Sequence, residues 1–389
     1  MRRVHYIDPM AAQMRFAAIK PLAQRTRSAA LLVMLIAPSA ALCQQQGWTI
    51  GPFHRPVAAP VITPNPQSVF FDPLRRRPVH WEASNTFNPA AVVRNGKIYV
   101  IYRAEDDTGP KVIGMHTSRL GLASSDDGVH FVRSAEPVFY AADDAQKDRE
   151  WPGGVEDPRV VESPDGSYVL TYTQWNRKST SIGVATSKDL VHWTKYGPAF
   201  PPSDRPAFHS YKSSGIVTHL VDGRLIAAKI HGKFWMYWGE VEIHLATSPD
   251  LIHWTAIEDA KGNPVVLLKR RADLFDSGFP EVGPPAVMTK NGIVLIYNGK
   301  NGAGHGAAGL DPGAYSVGEA LFSADDPAKL LKRTDEPVFR PELPFERSGQ
   351  YPTGTTFAEG LVVFKAKWFL YYGCADSFVG VAVAERPAP

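Results

Sequence analysis

The sequence predicts an all-β fold, a five-bladed β-propeller with its binding site on the central axis. Three observations carry that prediction. Past Trp48 the chain is dominated by short alternating runs of Val, Ile, Tyr, Phe and Trp bounded by Gly, Asp, Asn and Pro, the pattern of strands joined by turns. Helical periodicity is scarce over the same span. Two phrases recur five times each at spacings of about 60 to 75 residues, the period of one four-stranded blade per repeat.

Taken in chain order, residues 1–45 are expected to stand outside this fold. Arg15, Lys20, Arg25 and Arg27 precede the apolar run 29–37, and small residues follow up to Cys43, the order of a secretory signal. The run is too short to span a bilayer, which needs about 20 apolar residues, and no later stretch is long and apolar enough. Export to the periplasm or the medium is the expectation, with lipoprotein anchoring at Cys43 made weak by the bulky Leu42 before it. Residues 46–389 are expected to form a single propeller.

The remaining composition excludes several function classes. With 44% hydrophobic and 21% charged residues among 389, the chain is neither collagenous, disordered nor a many-span membrane protein. The formal charge of +3 is too weak to argue for nucleic acid. It also belongs to the export segment: residues 1–43 hold Arg2, Arg3, Arg15, Lys20, Arg25 and Arg27 against Asp8, leaving 36 basic and 38 acidic residues in the rest. Cys43 and Cys374 cannot build a thiolate zinc site, the histidines lack the His-x-x-x-His spacing of a metalloprotease, and no cofactor is expected. Oligomeric state is not legible.

Within the propeller, the first phrase is a turn followed by an aromatic strand. It begins Asn95-Gly96-Lys97-Ile98-Tyr99, Asp165-Gly166-Ser167-Tyr168-Val169, His231-Gly232-Lys233-Phe234-Trp235 and Asn291-Gly292-Ile293-Val294-Leu295, and returns without its glycine as Lys365-Ala366-Lys367-Trp368-Phe369. The second is a strand entering a Ser-x-Asp turn and an aromatic, at 120–131, 182–193 and 243–254, with weaker copies at 317–325 and 379–384. Its recurrence marks Asp126-Asp127-Gly128 as a turn and not a calcium loop. Ahead of each first phrase lies a candidate innermost strand, at 87–91, 156–160, 213–217, 282–286 and 355–359. Inner strands surround the axis, so their residues converge on one pocket, the default binding site.

Around these segments stand Asn88, Glu156, Asp157, Arg159, Lys212, Asp276 and Glu281. Charged residues rarely occupy inner strands unless paired. Clustered carboxylates interleaved with Arg and Lys suit glycoside cleavage, in which one acid protonates the leaving oxygen and another carboxylate serves the nucleophile. Arg159 and Lys212 are expected to contact the substrate. The glycine-rich stretch 302–306 lacks the context of a phosphate loop; with the residues up to Gly313 it is a candidate rim of the pocket.

Phe87-Asn88-Pro89-Ala90, Tyr102-Arg103-Ala104-Glu105-Asp106, Gly154-Val155-Glu156-Asp157-Pro158-Arg159, Gly283-Pro284-Pro285 and Tyr372-Gly373-Cys374-Ala375-Asp376 resemble, in order, the motif series of glycoside hydrolase family 130. That family comprises β-mannoside phosphorylases and β-mannosidases on a five-bladed propeller. The resemblance implies a mannoside oligosaccharide as substrate and Asp157 as general acid, acting through the 3-hydroxyl of the bound mannose. It further implies that Asn88, Arg103, Asp106 and Asp376 hold the mannosyl unit.

Phosphorylases of the family place a His-Arg pair just after the Gly-Lys-aromatic strand, whereas here Tyr237 is followed by Trp238-Gly239-Glu240. A carboxylate there repels a phosphate dianion. Glu281 enters the axis in the next repeat. The pattern resembles that of the family's β-1,2-mannosidases, with water activated by Glu240 or Glu281 and inversion at the anomeric carbon; the sequence does not choose between the two. His231 and Lys212 as residual phosphate ligands keep a phosphorylase open, and a non-catalytic mannan-binding propeller is the alternative from another class.

Overall fold

The computed structural model describes residues 47–203 and 205–385. The expected export segment and Cys43 lie outside the described residues. Among the described residues there are 24 strands, one α-helical turn (Lys147–Glu150) and two short 3-10 turns, so the chain is all-β.

A hairpin, β1 (Phe70–Asp72) and β2 (Arg77–Val79), precedes the repeats. Antiparallel meanders follow in chain order. The first is β3 (Asn85–Arg94), β4 (Lys97–Glu105), β5 (Ser118–Ser125) and β6 (Val132–Arg133). The second is β7 (Gly154–Glu162), β8 (Tyr168–Trp175), β9 (Thr180–Ser187) and β10 (Trp193–Pro198). The third is β11 (Ser214–Val221), β12 (Arg224–Ala227), β13 (Lys229–Ile230), β14 (Lys233–Trp238), β15 (His244–Ser248) and β16 (Thr255–Ala256). Next come β17 (Phe279–Val282) and β18 (Ala286–Thr289), both paired with β19 (Gly292–Lys300), then β20 (Tyr315–Phe322) and β21 (Leu330–Arg333). The last is β22 (Phe357–Phe364), β23 (Lys367–Cys374) and β24 (Phe378–Glu385). The turn-plus-aromatic phrases are β4, β8, β14, β19 and β23, and the Ser-x-Asp phrases open on β5, β9, β15, β20 and β24. Parallel contacts of β5 with β7, β7 with β12 and β11 with β18 join neighbouring meanders, while β22–β24 hydrogen-bond as a separate sheet.

One buried device repeats through the molecule. Tyr102, Tyr172, Tyr297 and Tyr372 donate their hydroxyls to Glu82, Glu150, Asp276 and Glu346 at 2.7, 2.6, 2.8 and 2.8 Å. Each carboxylate lies on the segment leading into an inner strand and is paired with Arg133, Lys195, Arg333 or Arg55. Directly across from the four tyrosines stand Gly121, Gly183, Gly318 and Gly380, where an added Cβ would lie 2.4–2.6 Å from the ring. This accounts for the glycine of the second phrase. It also corrects the expected placement of Asp276 among the site residues: its carboxylate is enclosed by Arg271, Arg333 and Tyr297.

The Ser-x-Asp phrase is a side-chain-built turn. Ser125 Oγ accepts the Gly128 N–H, and Asp127 Oδ1 accepts those of Val129 and His130, with the same pattern at Ser187–Asp189 and Ser248–Asp250. The aspartate oxygens are thereby taken up by the turn.

Before the first hairpin, residues 48–62 run against the last two meanders. His54 and Val383 exchange backbone hydrogen bonds, as do residues 61–62 with Val379. Trp48, Ile50 and Phe53 are buried in a core shared with Val317, Leu370 and Ala382.

Candidate active site

β3 and β7 present side chains to a common cavity because they are bulged. The ladder of β3 on β4 shifts between Phe87 and Pro89, and that of β7 on β8 between Glu156 and Arg159. Asn88 and Asp157, each followed by proline, sit at φ 47° and 47°, and Ser213 and Asp376 at 61° and 51°. Left-handed backbone is uncommon for residues other than glycine, and such outliers persist only where the surroundings over-determine them. A bulge re-aims consecutive side chains, which is how Glu156 and Asp157 both reach the site. Gly373 opposite leaves room for Asn88, whose Oδ1 would lie 2.2 Å from a Cβ there.

The cavity has a volume of about 460 Å³ and is lined by Asn88, Arg103, Glu156, Asp157, Lys212, Glu240, Glu281 and Asp376, with Phe87, Trp175, Tyr315, Tyr351 and Phe357 as aromatic walls. Residues far apart in the chain thus meet at one place, and it is large enough for a sugar unit with its neighbour.

Its first half is organised by Arg103. The guanidinium lies over the Phe87 ring at 4.5 Å, donates from Nη1 to Asp157 at 3.1 Å and from Nη2 to Glu105 at 2.6 Å, and pairs with Glu156 at 2.8 Å. Asn88 Nδ2 donates to the same Asp157 oxygen at 2.8 Å. One cation shared by several buried carboxylates cannot keep all of them ionised. Burial pushes Glu156 up to about 7, Arg103 opposing it and Asp157 and Glu105 adding to it. Burial alone would raise Asp157 as well, yet Arg103, Lys212, Arg159 and the Asn88 hydrogen bond outweigh it and hold the carboxyl down at about 2. Burial lifts Asp376 to about 6 against the pull of Arg103.

The second half is a carboxylate pair bridged by a lysine. Glu240 and Glu281 face each other across an isolated antiparallel bridge, and Lys212 Nζ lies 3.6 Å from Glu240 and 3.2 Å from Glu281. The two differ in exposure: the Glu240 side chain is 34% exposed and that of Glu281 1%. Ser213 Oγ donates to Glu281 Oε1 at 2.6 Å, while Glu281 Oε2 has no hydrogen-bond partner among the described residues. Burial pushes Glu281 up to about 7, Lys212 opposing it and Glu240 adding to it.

Two of the expected substrate-binding residues do not line the cavity. Asp106 is fully buried, its Oδ2 paired with Arg119 at 2.9 Å and its Oδ1 accepting from Thr108. Alternation along β4 explains this: Arg103 and Glu105 share one face, and Asp106, one residue on, takes the other. Glu105, not Asp106, is therefore the carboxylate that meets Arg103 from its own strand. Arg159 lies under the cavity floor, bonded to backbone carbonyls. His231 is exposed and donates to the Asp325 carbonyl, away from the cavity. The 302–313 loop contributes no lining residue and meets the wall through Gly313, whose carbonyl accepts from Tyr351 at 2.8 Å. Tyr315 and Tyr351 stand outside the recurring motifs; only their place in the fold makes them legible.

A family model described as beta-1,4-mannooligosaccharide phosphorylase, that of glycoside hydrolase family 130, matches residues 65–386. The chain belongs to glycoside hydrolase family 130. Among curated members of family 130, a 1,2-beta-oligomannan phosphorylase of Thermoanaerobacter sp. (strain X514) is 32% identical over 309 residues, 78% of this chain and 91% of that protein. A solved structure described under the finding that this family contains glycoside hydrolases targeting β-1,2 mannosidic linkages in Candida mannan is 50% identical, with a TM-score of 0.85 over 88% of this chain and 96% of that one. A glycosyl hydrolase from Bacteroides ovatus is 51% identical with a TM-score of 0.84, over 88% of this chain and 96% of that one. The family is one of carbohydrate-active enzymes acting on mannosides, as the five motifs imply.

Proposed function

We propose that this family 130 member is an exported β-mannosidase that hydrolyses β-1,2-linked mannosides with inversion and releases mannose. Residues 46–389 serve as a single five-bladed propeller catalytic domain, with the meanders as blades and residues 1–45 as a signal segment. The observation that carries the reading is the Glu240–Lys212–Glu281 cluster in the cavity. Two carboxylates around one lysine cancel the positive potential that a phosphate dianion requires, whereas a buried carboxylate with a free oxygen suits a water nucleophile. The 50% identity to a structure described with the family's hydrolases supports the same choice.

Glu281 fits the general base. Its Oε1 is held by Ser213 and Lys212, Oε2 is unclaimed, and a base near 7 is matched to neutral working pH. Glu240, more exposed, contacts sugar and tunes Glu281 by like charge. Asp157 supplies the proton to the leaving oxygen through the mannose 3-hydroxyl. Asn88, Arg103 and Asp376 hold the mannosyl unit, and the aromatic walls cover it. As the C1–O bond breaks, the leaving oxygen takes the 3-hydroxyl proton, the 3-hydroxyl is refilled from Asp157, and Glu281 removes a proton from the attacking water. Asp157 is ionised in the empty cavity, so it must gain its proton as substrate binds; Glu156, protonated up to near neutrality on the same bulge, is the adjoining source.

Incubation with mannobioses of each linkage, with and without phosphate, tests the proposal. Free mannose from the β-1,2 isomer without phosphate, α anomer first by NMR, is the expected result. Mannose 1-phosphate formed only when phosphate is added would establish phosphorolysis instead, the reaction named for the Thermoanaerobacter relative.

A further inference from the structure

Arg159 is 2% exposed and lies beneath the cavity. Its guanidinium spans three inner strands. Nη1 donates to the Asp157 carbonyl at 2.9 Å, Nη2 to the Val282 carbonyl at 3.0 Å and Nε to the Gly283 carbonyl at 3.3 Å. From β22, Glu359 lies with Oε1 2.9 Å from Nη2, its carboxyl pushed well above the usual range by burial while Arg159 opposes that rise. The three carbonyls are not arbitrary. One belongs to Asp157 itself, on a left-handed residue in a bulge; the others belong to the two residues that follow Glu281.

A single planar fork thus ties the backbone under one cavity carboxylate to the backbone beside the other. We propose that Arg159 is a positioning residue that sets the separation of Asp157 and Glu281, and so the room left between them for the anomeric carbon and a water. The inference rests on the roles given to those two carboxylates above. Arginine is required for geometric reasons: five N–H donors in a rigid plane reach acceptors on separate strands, while a lysine ammonium is a compact point charge on a flexible stem. Binding of the mannosyl unit is carried by Asn88, Arg103 and Asp376, none of which is a hydrogen-bond or ion-pair partner of Arg159 among the described residues. Loss of the fork therefore falls on the reacting geometry and not on affinity.

The experiment compares the parent enzyme with Arg159→Lys and Arg159→Met on β-1,2-mannobiose. Misplacement of reacting groups by about 1 Å costs roughly 100-fold in rate, so the lysine variant should keep a parent-like melting temperature and KM while kcat falls on that order. Arg159→Met, which strands Glu359, should be worse or fail to fold. An unchanged kcat in folded Arg159→Lys overturns the inference, as does a rise in KM with kcat preserved. If the parent cleaves no mannoside, the proposed function fails by itself. Crystal structures of the parent and Arg159→Lys then decide the clamp: an unchanged separation between Asp157 and the 281–283 segment overturns it, and a widened one supports it.

Discussion

Asp157 and Glu281 are both buried carboxyls in one cavity, yet their surroundings drive them apart. Asp157 accepts from a guanidinium and an amide and is held at about 2. Glu281, facing one lysine and a second glutamate, rises to about 7. By this order alone the raised carboxyl would be the acid, so Asp157 can serve as the acid only by taking up a proton as substrate binds, while Glu281 serves as the base above about pH 7. A general base works only when deprotonated, so kcat/KM should fall as pH drops below about 7, with an acidic limb set by Glu281; a pH profile that stays flat down to pH 5 would contradict the assignment. Glu281→Gln should lower kcat by about 10³-fold while mannose still binds, since general acid or base groups contribute about 10²–10⁴, and the remaining activity should lose that limb. Calorimetry with mannose separates lost binding from lost chemistry. Asp157→Asn should cost a similar factor with substrate affinity retained.

At the scale of the strand, the sequence was read well where side-chain period and repeat agreed and poorly where a bulge intervened. Turn-plus-aromatic and Ser-x-Asp phrases fell on two consecutive strands of every meander, because both signals are local. Period two along β4 pairs Arg103 with Glu105, so the choice of Asp106 was correctable from the sequence. Arg159 was not, because the bulge at Asp157 resets the alternation and no local signal in the sequence marks it. Asp276 misled for a different reason: besides Arg271, five residues before it, its partners Arg333 and Tyr297 come from 57 and 21 residues away. The tyrosine–carboxylate device also makes a prediction. Gly183→Ala would place a Cβ 2.5 Å from the Tyr172 ring, and overpacking of this kind costs about 1–3 kcal/mol. Tyr172→Phe, which removes the hydroxyl from Glu150, should cost about 1.5–3 kcal/mol, the range for a hydrogen bond to a charged group. Both should leave kcat close to the parent value, measurable by denaturant unfolding beside a standard assay.

For the whole molecule, the buried acids set a conflict between activity and stability. Glu156, Glu281 and Glu319 are fully buried with carboxyls raised to about 7, and Asp376 to about 6. Glu319 belongs to the structure and not to the site. Burial raises it, while the Ile50 and Gly51 N–H groups it accepts, at 2.9 and 3.3 Å, pull it back as they anchor the N-terminal segment 48–62. A carboxyl whose folded value lies above its unfolded value binds its proton more tightly in the native state. Its contribution is then fully present below about pH 4.5 and is lost as pH rises through about 7. Each glutamate contributes on the order of 3 kcal/mol by this linkage. Asp157, lowered to about 2, acts in the opposite sense but only below about pH 4. Unfolding free energy should therefore decline between pH 5 and pH 7.5, over the same interval in which Glu281, the proposed base, deprotonates. Glu281→Gln removes one of the groups that titrates there, so it should flatten part of the slope and leave the share belonging to Glu156, Glu319 and Asp376. Denaturant titrations of parent and variant at pH 5, 6 and 7.5 measure that difference. Parallel slopes would mean that the ionisation of Glu281 is not coupled to folding, and the cost of keeping a base buried in the cavity would have to be borne elsewhere.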